Sequence, residues 1–111
     1  MEIVTNRETN AVIAELQGRM DAVTTAVFDK WFVERMDAGE QRLVLDMSGL
    51  EYISSAGLRS LLAAAKKIKA AGGALALCGL SGTVAEVFKM SGFLSIFTVK
   101  DSSAEAVLAL G

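Results

Sequence analysis

Two hydrophobic rhythms alternate along the chain, short strand-like apolar runs and apolar residues recurring three or four positions apart, as on one helix face. Strand-like segments open it, EIVTNRE at residues 2–8 and AVIAELQG at residues 11–18, with the turn-forming Glu8-Thr9-Asn10 between them. A hairpin is the expected result. After Gly18 the rhythm becomes helical. Val23, Val27, Phe28, Trp31 and Phe32 follow helical spacing, with Asp21 or Thr24 as N-cap and Gly39 as the stop. Phe28, Trp31 and Phe32 are read as core. RLVLDMSG (residues 42–49) carries the apolar run Leu43-Val44-Leu45 and breaks at Asp46, like a buried central strand emerging at its C-terminal end. A second helix starts at Ser54 or Ser55 and runs to about Ala71, with Leu58, Leu61, Leu62, Ala65 and Ile68 on one face. Lys66, Lys67 and Lys69 fall in its last turns, where cations favour the helix dipole, and Gly72-Gly73 ends it. A strand at ALALC (residues 74–78), a helix at residues 82–92, a strand at SIFTV (residues 95–99) and a helix at residues 102–110 complete the series. Ser102 and Glu105 form the capping box of that last helix.

This order predicts an α/β fold. Its mixed central sheet has an opening antiparallel hairpin, then parallel right-handed crossovers, and carries about four helices. With 111 residues, no proline and no internal repeat, a single domain over residues 1–111 is expected. Hydrophobic residues at 52% and charged residues at 22% suit a packed core.

Charge and composition remove several function classes. A net charge of -2 provides no basic footprint for direct nucleic-acid binding. No apolar run approaches the ~18–20 residues of a membrane span, and no basic, then apolar leader is visible, so a soluble cytoplasmic protein is expected. The single cysteine, Cys78, lies in the strand-like ALALC and reads as a buried thiol. Histidine is absent. Ser-His-Asp and Cys-His catalysis, histidine phosphotransfer and the usual zinc sites all require imidazole, so the sequence supports none of them. It implies no cofactor and no metal site. Asp21, Asp46 and Glu51 read as caps and surface charges, the strands lack the acidic pair of a magnesium-dependent phosphoaspartate site, and no GxxxxGK[ST] loop occurs. In VFKMSGFLSIF (residues 87–97), Phe88, Met90, Phe93 and Leu94 crowd around a turn, a candidate exposed patch for protein binding.

The remaining chemistry lies in YISSAGLRSLL (residues 52–62), where two hydroxyls stand at a strand-to-helix junction. Serine is a favoured N-cap, and a phosphate on a hydroxyl at this place would be stabilised by the helix N-terminus. The residues alone leave capping and phosphoacceptance both open. Ala56 and Gly57 leave the backbone of the first turn accessible.

The run LVLDMSGLEYISSAGLRSLLAAAKKIKAAGGALALCGL, followed by VAEVFKMSGF and preceded by GRMDAVT (residues 18–24), resembles the STAS domain family. Within it, the resemblance is to stand-alone anti-sigma factor antagonists of bacteria. The resemblance implies a non-enzymatic partner switch. The unmodified antagonist binds an anti-sigma factor that is also a GHKL-type serine kinase, and sigma factor is released. Phosphorylation at the start of the second helix abolishes that binding, and a PP2C-type phosphatase restores it. The family motif Asp-Ser-Ser/Thr-Gly-Leu, laid on Gly57 and Leu58, puts Ser54 at the aspartate, Ser55 at the acceptor and Ala56 after it. Ser54, in place of aspartate, is the runner-up acceptor. Asp21, Asp46, Ser54, Ser55, Ala56, Gly57 and Arg59 are carried over as partner-contact or site-shaping residues, in a monomer or weak dimer. The competing expectations are an accessory STAS subunit of a stressosome-like or transport complex, in which Ser55 only caps the helix, and a nucleotide-binding enzyme, for which no motif exists.

Overall fold

The computed structural model describes residues 1–110. Five strands and four α-helices alternate as β1 (Glu2–Glu8), β2 (Ala11–Met20), α1 (Thr25–Asp37), β3 (Arg42–Ile53), α2 (Ser55–Ala70), β4 (Ala74–Cys78), α3 (Gly82–Ser91), β5 (Thr98–Lys100) and α4 (Ser103–Ala109). The sheet order is β1-β2-β3-β4-β5, antiparallel between β1 and β2 and parallel throughout the rest, which is the expected mixed sheet.

Sequential parallel strands joined by crossovers of one hand place every connecting helix on the same face. Phe28 and Phe32 of α1, Leu58, Leu61 and Ile68 of α2, and Phe88 of α3 accordingly share one buried cluster with Leu43, Leu45, Leu75 and Leu77. Because α4 follows the last strand, it can cover the other face, where Ala106 packs on Ile13, Val44, Ala76 and Cys78. The alternation of Leu43, Val44 and Leu45 between the two clusters is the period-two pleat expressed as packing.

Three expectations are corrected. Val23 precedes α1 and is 83% exposed, and Val27 is 45% exposed, because the helix starts only at Thr25 and turns Thr25, Phe28, Trp31 and Phe32 inward. The third strand does not end near Asp46 but continues to Ile53, since β2 runs on beside it as far as Met20. Beyond Cys78, β3 has only β2 as a neighbour, so the two form an arm projecting past β4. Two register shifts in this pairing, and Gly18 at φ 95°, mark bulges that twist the arm. The last strand is Thr98–Lys100 rather than residues 95–99, because Gly92 turns left-handed at φ 78° and Phe93–Ser95 forms a 3-10 turn. The apolar run is used to stack Phe93 and Phe97 around Phe88, with ring centroids 6.0–6.3 Å apart. Phe88 is therefore buried, while Met90, Leu94 and Ile96 remain exposed beside the turn.

Candidate functional site

The tip of the β2-β3 arm holds the serine pair. There β2 passes into the Asp21–Thr24 turn and β3 into α2, and the two are tied by the Ser54 backbone N–H donating to the Met20 carbonyl at 2.9 Å. Ser54 has extended backbone, φ -93° and ψ 175°, and its Oγ accepts from the Gly57 N–H at 3.3 Å. It is the N-cap. Ser55 is the first residue of the helix, exposed, and its hydroxyl forms no hydrogen bond among the described residues. The first four N–H groups of a helix lack intrahelical partners, and Ser54 occupies that of Gly57. A free hydroxyl thus stands at the positive end of a 16-residue helix. Ser54→Ala removes the cap and is expected to lower stability by about 1 kcal/mol, read from urea denaturation, with Ser55 left exposed.

Gly57 sits beneath the site instead of on its surface. It is buried, and a Cβ built there would lie 2.7 Å from Ile53 Cγ1 and 3.1 Å from both Met20 Cγ and the Met20 carbonyl oxygen. Its role in the structure is to let the first turn of α2 approach the arm. Ala56 is partly exposed, and Arg59, one helical turn beyond Ser55 on the same face, is exposed.

Asp21 organises the neighbouring turn. Its Oδ1 accepts from the Thr24 and Val23 N–H groups, both at 3.0 Å, and the Thr24 Oγ1 accepts from the Asp21 N–H at 2.8 Å. These donors, Thr24 first and Val23 second, stabilise the ionised carboxylate and hold its pKa below the ordinary value. A carboxyl with a depressed folded pKa contributes stability above its unfolded value and loses it as pH falls through the folded one. Asp21→Ala is therefore expected to narrow the stability gap between neutral and acidic solution, tested by melting temperatures followed downward from about pH 5.

Asp46 lies elsewhere. It pairs in register with Glu15 and Cys78, accepts from the Ser48 N–H at 3.0 Å, and faces Gly79, where a side chain would meet its Oδ1 at 2.9 Å. The arm separates it from Ser54 by on the order of 20 Å. Its carboxylate lies against the β4-α3 connection at Gly79. Cys78 beside it is buried, and desolvation, followed by the nearby Asp46 charge, pushes its thiol up to about 11. That thiol stays protonated and inert at neutral pH.

Two residues at the tip carried no sequence signal. Arg19 and Tyr52 are register partners on β2 and β3, and the guanidinium lies 4.2 Å from the centre of the Tyr52 ring. Only the strand pairing reveals the contact. It sets a cation and an aromatic ring beside Ser54.

The arrangement places an exposed hydroxyl, a capped helix end and an acidic turn together at the tip of the arm. Residues 2–106 match the profile of the STAS domain. The chain belongs to the STAS domain family. Among relatives of this STAS domain, BtrV of Bordetella bronchiseptica, assigned by name to the anti-sigma factor antagonists, is 41% identical over 98% of this chain and 94% of its own. The fold superposes on the crystal structure of a Thermotoga maritima protein also named as an anti-sigma factor antagonist, with TM-score 0.90, 24% identity, and 97% and 93% of the two chains covered. The phosphorylated form of the Bacillus cell fate determinant SpoIIAA matches with TM-score 0.74 and 19% identity over 99% of this STAS domain and 100% of that chain. No helix among the described residues is long and apolar enough to cross a membrane.

Proposed function

We propose that this STAS domain is an anti-sigma factor antagonist switched by phosphorylation of Ser55. In its unmodified form it binds an anti-sigma factor that is a GHKL-type serine kinase, and sigma factor is released. Phosphorylation ends that binding, and a PP2C-type phosphatase restores it. The observation that carries the reading is the division of labour in the serine pair: Ser54 Oγ is engaged by the Gly57 N–H, while Ser55 Oγ is exposed and unengaged. The names of the relatives supply the partner class.

The chemistry asks little of this chain. Ser55 Oγ attacks the γ-phosphorus of the kinase's ATP, the bond to the ADP oxygen breaks, and the hydroxyl proton passes to the kinase's base. The substrate must be reachable, and the product must be tolerated. Exposure meets the first need, and the helix dipole with the unpartnered first-turn N–H groups meets the second. The product carries about -1.5 to -2 charges at pH 7, which oppose any interface built on an uncharged hydroxyl. Incubation with the cognate kinase and ATP, then peptide mass mapping, is expected to place one phosphate on Ser55. An active kinase that leaves Ser55 unmodified, or modifies Ser54, overturns the assignment and turns attention to an accessory role.

A further inference from the structure

The second helix is electrostatically unlike the rest of the molecule. It holds four of the eleven cationic side chains, Arg59, Lys66, Lys67 and Lys69, and none of the thirteen carboxylates, in a chain of net charge -2. Two of the four do not simply face solvent. Arg59 and Lys67 line a cleft of about 320 Å³ between α1 and α2, with Val33 and Ala63 supplying exposed apolar surface and Asp29 contributed by α1. Neither cation forms a salt bridge among the described residues, and both are exposed. Arg59, Ala63 and Lys67 are spaced by four residues and so follow one face of α2. The two charges stand about 12 Å apart along the axis with a methyl group between them.

We infer that this cleft docks an acidic amphipathic helix of the anti-sigma factor, with one carboxylate against Arg59, a second against Lys67, and an apolar side chain between them on Ala63 and Val33. The inference deepens the function proposed above and rests on it. Charge complementarity selects the occupant, since two unpaired cations flanking an apolar step on an otherwise acidic protein match an acid-apolar-acid stripe. The net negative charge disfavours a continuous polyanion such as nucleic acid, whereas a helix carrying two spaced carboxylates meets only Arg59 and Lys67 with them and can set an uncharged side chain opposite Asp29. The geometry also connects docking to the switch. Ser55 lies one turn before Arg59 on the same face, so a phosphate there repels the partner's carboxylates and competes with them for the Arg59 guanidinium. Docking and the phosphorylated state then exclude each other through one side chain.

The test is calorimetric titration of the cognate anti-sigma factor with Arg59→Glu, Lys67→Glu and, as control, Lys66→Glu, which makes the same charge change on the same helix outside the cleft. Circular dichroism melts establish that each variant is folded. Arg59→Glu and Lys67→Glu are each expected to weaken binding at least about tenfold, with Lys66→Glu within about twofold of wild type. Wild-type affinity should also fall more steeply with salt than that of the double cleft variant. Equal losses in all three variants reduce the effect to overall charge and overturn the docking site. So do cleft variants that bind like wild type while Ser55→Asp still blocks binding, a result that leaves the Ser55 switch intact. A wild-type protein that binds no anti-sigma factor removes the partner reading and this inference together.

Discussion

Ser55→Asp is expected to lower affinity for the anti-sigma factor at least about 100-fold, with Ser55→Ala binding within a few-fold of wild type. The asymmetry follows from where the hydroxyl stands. It is exposed and makes no internal hydrogen bond, so removing it leaves no unsatisfied group and the alanine variant keeps its helix cap, which Ser54 provides. Aspartate adds a charge that must lose water when the partner covers the tip. A buried charge without its own counter-ion costs several kcal/mol, and each 1.4 kcal/mol is tenfold in affinity. Since aspartate carries only one charge, its effect is a lower bound for phosphate. Within the free protein the same charge favours the N-terminus of α2, so Ser55→Asp should melt no lower than wild type. Weaker binding is then an interface effect, not unfolding. Equal affinities of the aspartate and alanine variants for the anti-sigma factor, measured by calorimetry, would leave phosphorylation without a mechanism here.

The second large effect concerns Gly57. In an exposed helix, exchanging glycine for alanine is worth up to about 1 kcal/mol in favour of alanine. Here the sign is expected to reverse. The added Cβ would stand 2.7 Å from Ile53 Cγ1 and 3.1 Å from the Met20 carbonyl oxygen. Ile53 is buried between strand and helix, and Met20 is fully buried, so neither has free space into which to retreat. Gly57→Val adds two further methyl groups and is expected to destabilise the domain by about 1–3 kcal/mol, as overpacking of a filled core does. For a domain of this size that lowers the melting temperature by several degrees. The strain is best relieved by lifting the first turn of α2 off the arm. Because Ser54 caps that turn and Ser55 begins it, the variant should also lose affinity for the anti-sigma factor at temperatures where it is still folded. Denaturant titration and binding at low temperature separate the two effects, and a Gly57→Val protein as stable as wild type would show that the helix start is not clamped.

Much of this was legible along the chain because the deciding interactions are local. The Ser102 cap, which accepts from the Glu105 N–H at 3.2 Å, spans three residues. The Gly72-Gly73 stop closes with the Gly73 N–H on the Ile68 carbonyl at 2.8 Å, within two helical turns. Periodicity likewise reports a face wherever that face meets the core, as for Leu58, Leu61 and Ile68. It misled at Val23 and Val27, whose spacing is helical but whose burial depends on where the helix starts relative to the sheet. It misled again after Asp46, since the extension of β3 needs the neighbouring β2, more than thirty positions away in sequence, to hold it.

For the site, the sequence alone determined that two hydroxyls stand at the head of an amphipathic helix, beside small residues that allow a close approach. It could not divide their labour, because capping depends on which oxygen the entering chain turns toward the first N–H groups. The tertiary structure made that division, with Ser54 turned in to Gly57 and Ser55 turned out. It also gathered Asp21, Arg19 and Tyr52 around the serines, left Asp46 at the far end of the arm, and opened a cleft between α1 and α2. Each of these rests on strand register or on helix-to-helix packing. Those are interactions between residues far apart in the chain, which neither spacing nor composition encodes.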